Sequence, residues 1–157
     1  MNCVLLNTLE EVRILGIFKD LYESYSPVDK KKRLRNILAL SSDNFFTIHE
    51  IVRREQKIEL NQNELERLND LIIAFLNKTS YRTYLPEEDK IKLLSIQDNK
   101  CAICGCDISL NHQADHVVPF KYVGDSLQNN WQMLCPHCNE KKKDSLDYQL
   151  RILLKVI

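Results

Sequence analysis

Two Cys-x-x-Cys pairs, Cys101/Cys104 and Cys135/Cys138, stand 30 residues apart in the last third of this 157-residue chain. Each pair offers two sulfurs to one edge of a tetrahedron, so together they read as a single four-thiolate zinc site. Gly105 directly follows the first pair, where a metal knuckle turns tightly and a positive φ has to be accepted. Four thiolates leave no open coordination position, so the centre is structural rather than reacting. Zinc binding does not account for the polar residues around the pairs. Asp115 and His116 interrupt an apolar run that ends at Pro119, Asn130 precedes the second pair, Asn139 directly follows it, and Lys142 comes three residues later.

The order Cys-x-x-Cys, Asp-His-x-x-Pro, Asn-x-x-x-Leu-Cys-x-x-Cys-Asn-x-x-Lys resembles the HNH nuclease family with its ββα-metal fold. In that resemblance His116 stands at the family's first His, Asn130 at its central Asn and Asn139 at its final His. An Asp-His followed by a late Asn is similar to the branch that includes a phage Holliday-junction resolvase. Gly124 stands alone in the loop after Pro119, where the family usually carries two glycines. The resemblance implies a metal-dependent endonuclease that cuts DNA phosphodiesters to 5′-phosphate and 3′-hydroxyl, in restriction, phage defence or a mobile element. The alternative is a catalytically inactive zinc-ribbon module that binds DNA or another protein.

Phosphodiester hydrolysis needs an activated water, charge relief at phosphorus and a stabilised leaving oxygen. His116 is the expected general base, since an unperturbed imidazole with a pKa of roughly 6.5 is largely neutral near neutral pH. Asp115 and Asn139 are the expected ligands of a catalytic Mg²⁺ or Mn²⁺, two oxygen donors that leave most of the sphere to water and phosphate. On a strand, Asp115 and His116 point to opposite sides, so both reach one cleft only if the strand twists or one acts indirectly. Pro136 suits the first turn of a helix on which Asn139, Lys142 and Lys143 share a face. Lys142 is expected in the catalytic set, and Lys141, Lys142 and Lys143 as phosphate contacts. By the resemblance, Asn130 ties the loop between the two strands, with Asn129 as the substitute if the register shifts by one. Trp131 reads as core packing, His112 and His137 as weaker candidates, and Cys3 and Cys106 as free thiols, with Cys106 near enough to compete for zinc.

These residues need a scaffold, and the sequence predicts an α+β chain. A helical region over 1–85, docking or DNA-contacting, precedes a zinc-stapled ββα module over 86–157. Capping boxes at Thr8-x-x-Glu11 and Thr47-x-x-Glu50 open two of the helices, Asp29 starts another, and Asn61 or Asn63 caps a fourth. Leu9, Val12, Leu15, Phe18, Leu21 and Tyr22 form one apolar stripe; Leu65, Leu68, Leu71, Ile72, Phe75 and Leu76 form another. Ile91, Leu94 and Ile96 belong to a last helix before the zinc knuckle. Lys30, Lys31, Lys32 and Arg33, with Arg35, place five positive charges in six residues, a candidate phosphate-binding run.

The 22 basic and 22 acidic residues balance, so DNA contact has to come from local clusters. Six cysteines, with no basic leader and no run of membrane-spanning length, predict a cytoplasmic protein whose thiols serve metal. A single active site cuts one strand, so cutting both would call for a homodimer or a partner subunit of a defence system.

Overall fold

The computed structural model describes residues 7–155. It is an α+β chain of mostly helix with one two-stranded antiparallel sheet. The described residues group into two compact units, 7–77 with 153–155 and 78–152. Cys3 lies outside the described residues.

The first unit holds α1 (Thr8–Tyr25), α2 (Val28–Ala39), α3 (Asn44–Gln56) and α4 (Gln62–Asn77). The buried stripe on α1 is Ile14, Leu15, Ile17, Phe18 and Leu21, while Leu9 is exposed. It packs on α4 through Leu65, Leu68, Leu71, Ile72 and Phe75, with the Phe18 and Phe75 rings edge-on at 6.5 Å. Two expected helix starts are shifted. Asn7 with Glu10, not Thr8 with Glu11, forms the capping box of α1. The α3 helix starts before Thr47, because the Asp43 side chain already accepts the N–H of Phe46. At α4, Asn61 and Glu64 cap each other reciprocally at 2.9 and 3.1 Å.

The second unit begins with a segment over 78–86 that has no regular structure, followed by α5 (Glu87–Ile96). Only Leu94 of the apolar residues foreseen on α5 turns inward; Ile91 and Ile96 are exposed. A knuckle closed by a Lys100–Asp107 bridge leads to β1 (Gln113–His116), α6 (Phe120–Val123), β2 (Trp131–Leu134), α7 (Pro136–Lys142) and α8 (Leu146–Leu154). In the sheet, Asp115 pairs with Gln132 and His116 with Trp131. The core beneath it is small: Leu94, Ile108, Met133 and Leu134 join Cys101, Cys135 and Cys138. Gln97 stands in for a third strand at Met133. Its amide donates to the Met133 carbonyl and accepts the Met133 N–H, both at 2.9 Å.

Gly124 ends α6 at φ 62 and ψ −146, a region essentially closed to other residues. A Cβ there would also come within 2.9 Å of Lys78 Cβ. This close approach brings the 78–86 segment against α6, where Lys78 Nζ donates to the Lys121 carbonyl. Gly124→Ala should therefore cost the second unit about 1–3 kcal/mol, read as a lowered denaturant midpoint. An unchanged midpoint would mean that the turn relaxes freely.

Candidate active site and metal centre

The four cysteines converge from two knuckles. The first knuckle turns at Gly105, whose φ is 75, and its Cys101 N–H donates to the Cys106 carbonyl at 2.8 Å. In the second, Cys135 is the N-cap of α7 and its sulfur accepts the Cys138 N–H at 3.3 Å. The sulfurs of Cys101, Cys104, Cys135 and Cys138 all lie within 4.8 Å of one another, and those of Cys104 and Cys135 are 3.8 Å apart. A tetrahedral ion with metal–sulfur bonds of about 2.3 Å sets its sulfurs about 3.8 Å apart, so the cluster fits structural zinc. The surroundings favour thiolate at three of the four: at Cys101 burial pushes the thiol up, but backbone N–H groups, that of Cys104 first, outweigh it. The N–H of Cys106 lowers the Cys104 pKa, and the N–H of Cys138 lowers that of Cys135. Burial raises the Cys138 thiol, so a bound cation has to draw its proton off. Cys106 is exposed and outside the group; its hydrogen bond to Cys104 pushes it up to about 12.

Beside this centre β1, α6, the start of β2 and α7 border a cleft of about 820 Å³, together with the 82–85 segment. Asp115, His116 and Asn139 all line it, although Asp115 and His116 are adjacent on one strand. The two reach it differently. Asp115 faces Lys142 and Gln132 through Oδ2, at 2.9 and 3.2 Å, leaving Oδ1 for other partners. His116 is almost wholly buried, its ring 4.0 Å from that of Trp131 and 5.7 Å from that of Phe120. Trp131 thus forms one wall of the imidazole site rather than anonymous core.

Asn130 is 2 % exposed and clamps the backbone beyond His116. Its Oδ1 accepts the Val118 N–H, its Nδ2 donates to the Val118 carbonyl and its own carbonyl takes the Val117 N–H, each at 2.8 Å. Asn129 makes the left-handed turn before it, at φ 55. Asn139 donates Nδ2 to Gln113 Oε1 at 2.6 Å, which orients its own oxygen away from that contact. Lys143 is exposed at the cleft, and Arg82 and Lys90 also line it.

Lys142 departs from expectation. It is 0 % exposed, with Nζ 2.9 Å from Asp115 Oδ2 and 2.8 Å from the His116 carbonyl, so it meets no phosphate. The turn of α7 that exposes Lys141 and Lys143 directs Lys142 onto β1. A buried ammonium needs a partner there, and Asp115 supplies it. In the basic run on α2, Lys31 Nζ stands 4.6 Å over the Phe75 ring and Arg35 donates to the Leu76 carbonyl at 2.5 Å, while Lys30, Lys32 and Arg33 are exposed. His112 borders the cleft with Nδ1 2.9 Å from the Ile108 carbonyl, whereas His137 faces solvent. Residues that sequence reasoning passed over are Asp125, Gln113, Gln132 and Gln149; nothing in their spacing marks them.

Two outcomes follow. Metal analysis of protein purified without chelator should find one zinc per chain, and Cys101→Ser or Cys138→Ser should unfold the second unit, because structural zinc contributes about 10–16 kcal/mol of binding free energy. A zinc-free folded protein would refute this. Lys142→Met should destabilise by about 3 kcal/mol by removing the cation beside Asp115 and the donor to the His116 carbonyl, and adding Asp115→Asn should recover part of that loss in a denaturation cycle. Strict additivity of the two changes would exclude the pairing.

No curated protein and no solved structure matches the chain. The family model described as HNH endonuclease matches residues 101–145, a span that runs from Cys101 to just past α7 and includes Asp115, His116, Asn130 and Asn139. The match agrees with the resemblance read from the motifs, and the four-cysteine group lies inside it. Residues 101–145 are therefore matched as an HNH endonuclease domain, and their four-cysteine group is consistent with a zinc-binding member of that family.

Proposed function

We infer that the protein is a metal-dependent endonuclease acting on DNA phosphodiesters. The observation that carries this reading is the shared cleft. Asp115, His116 and Asn139 line one concavity inside an HNH domain, beside exposed Lys143.

The donor set of the cleft suits a hard divalent cation. Asp115 keeps Oδ1 available because Lys142 and Gln132 engage Oδ2, and Asn139 keeps its oxygen available because Gln113 engages its nitrogen. One charged and one neutral oxygen fit Mg²⁺ or Mn²⁺, which retains several water and phosphate ligands. When bound, such an ion supplies charge relief at the phosphate and the departing oxygen. The chain's own residues do the rest. His116 takes the proton of the attacking water. Asn130 fixes the backbone after His116, so the imidazole stays in place without contacting substrate itself. Lys143, with Arg82 and Lys90, draws the phosphate backbone toward the cleft. Lys142, from α7, holds Oδ2 of Asp115 and leaves Oδ1 for the ion.

Zinc-loaded protein should nick supercoiled plasmid with Mg²⁺ or Mn²⁺ and perform poorly with Ni²⁺. In the same assay His116→Ala should lose on the order of 10²–10⁴-fold in rate with fold and zinc content unchanged. Near wild-type turnover of that variant would remove His116 as the base. Absence of cleavage on supercoiled, linear and branched DNA, with DNA still bound, would favour the inactive binding module.

A further inference from the structure

Asp125 lies in the loop between α6 and β2. Its Oδ1 is 2.6 Å from His116 Nε2, and its Oδ2 accepts the backbone N–H of Thr83 at 2.6 Å. The carboxylate and imidazole are 13 % and 11 % exposed. Burial pushes the Asp125 carboxyl up, but the Thr83 N–H and the bond to His116 outweigh it and hold it below its usual value. It is thus an anion near neutral pH and has no hydrogen to give. His116 must be the donor, so in the neutral imidazole the hydrogen is on Nε2 and the lone pair on Nδ1. Trp131 and Phe120 restrict the ring further, and His116 borders the cleft.

Resting on the endonuclease reading above, we propose that Asp125 is the positioning residue of the base. It locks the tautomer and orientation of His116, so that Nδ1 is the atom that takes the water's proton. The 78–86 segment belongs to this device. Thr83 holds the far oxygen of Asp125, so the carboxylate is aligned by backbone on one side and aligns the imidazole on the other.

Asp125→Asn separates this role from simple packing. The amide oxygen can still accept the Thr83 N–H, which turns the amide NH₂ toward His116 Nε2. That nitrogen must then accept, and the ring hydrogen moves to Nδ1, the wrong tautomer for the base. In histidine-labelled protein, ¹⁵N NMR should find the Nε2–H form at His116 in the wild type and the Nδ1–H form in Asp125→Asn. Plasmid nicking by the variant should show kcat lowered on the order of 10- to 100-fold, the scale on which hydrogen-bonding partners of a functional histidine act, with KM and the Mg²⁺ requirement unchanged. In a His116→Ala background the same substitution should cost nothing more. An Nδ1–H tautomer in the wild type overturns the proposal without any variant having to fold. So does a loss confined to KM, or one that multiplies in the double variant. A wild type that cleaves no DNA refutes the endonuclease reading and this proposal together; a cleaving protein indifferent to Asp125→Asn refutes this proposal alone.

Discussion

Four sulfurs within 4.8 Å of one another are the constraint on which the second unit depends. As thiolates they repel, and burial disfavours their charge, so without a cation the arrangement opposes folding. With one it reinforces a hydrophobic core that is small beneath the sheet. Only a handful of apolar side chains are buried beneath the sheet, and three of the four cysteines are counted among them. In the second knuckle the Cys138 N–H turns toward the sulfur of Cys135, the N-cap of α7, so that metal-type cysteines and helix start coincide there.

From that anchor the interior is polar to an unusual degree. Lys142, Asn130, Gln132 and Gln149 are buried alongside His116, and each finds a partner. The network costs stability compared with apolar packing but specifies geometry. Lys142 ties α7 to β1 at the two residues that matter most, gripping the side chain of Asp115 and the carbonyl of His116. Asn130 does the same for the backbone two residues further on. A two-stranded sheet is marginal alone, and these polar clamps keep its strand end from fraying into the cleft.

The alternation of a strand sends neighbouring side chains to opposite faces, yet Asp115 and His116 border one cleft. They do so at its last two positions, next to the Val117–Pro119 turn. There one side chain faces α7 while the other is held by α6, Trp131 and the loop of Asp125. The sheet end is a place where two faces become accessible from one side. Two adjacent strand residues can border one cleft only at such an edge.

The cysteine spacing by itself determined the metal centre, because a Cys-x-x-Cys turn brings its own two sulfurs together whatever surrounds it. The Asp-His step, the two asparagines and Pro136 at the start of α7 were legible for a similar reason: local backbone rules place them, and the family order names them. The helical stripes of the first unit were visible in outline. Their caps shifted because Asn7 and Asp43, just upstream, satisfied the free N–H groups better than the threonines. Only the tertiary structure decided the fates of Lys142 and Asp125. A lysine three positions after Asn139 looks like a phosphate contact until β1 closes over it, and an aspartate nine residues after His116 looks like loop until α6 folds it back. Both outcomes depend on which polar groups are buried together, and burial is a property of the packed elements that no local spacing encodes.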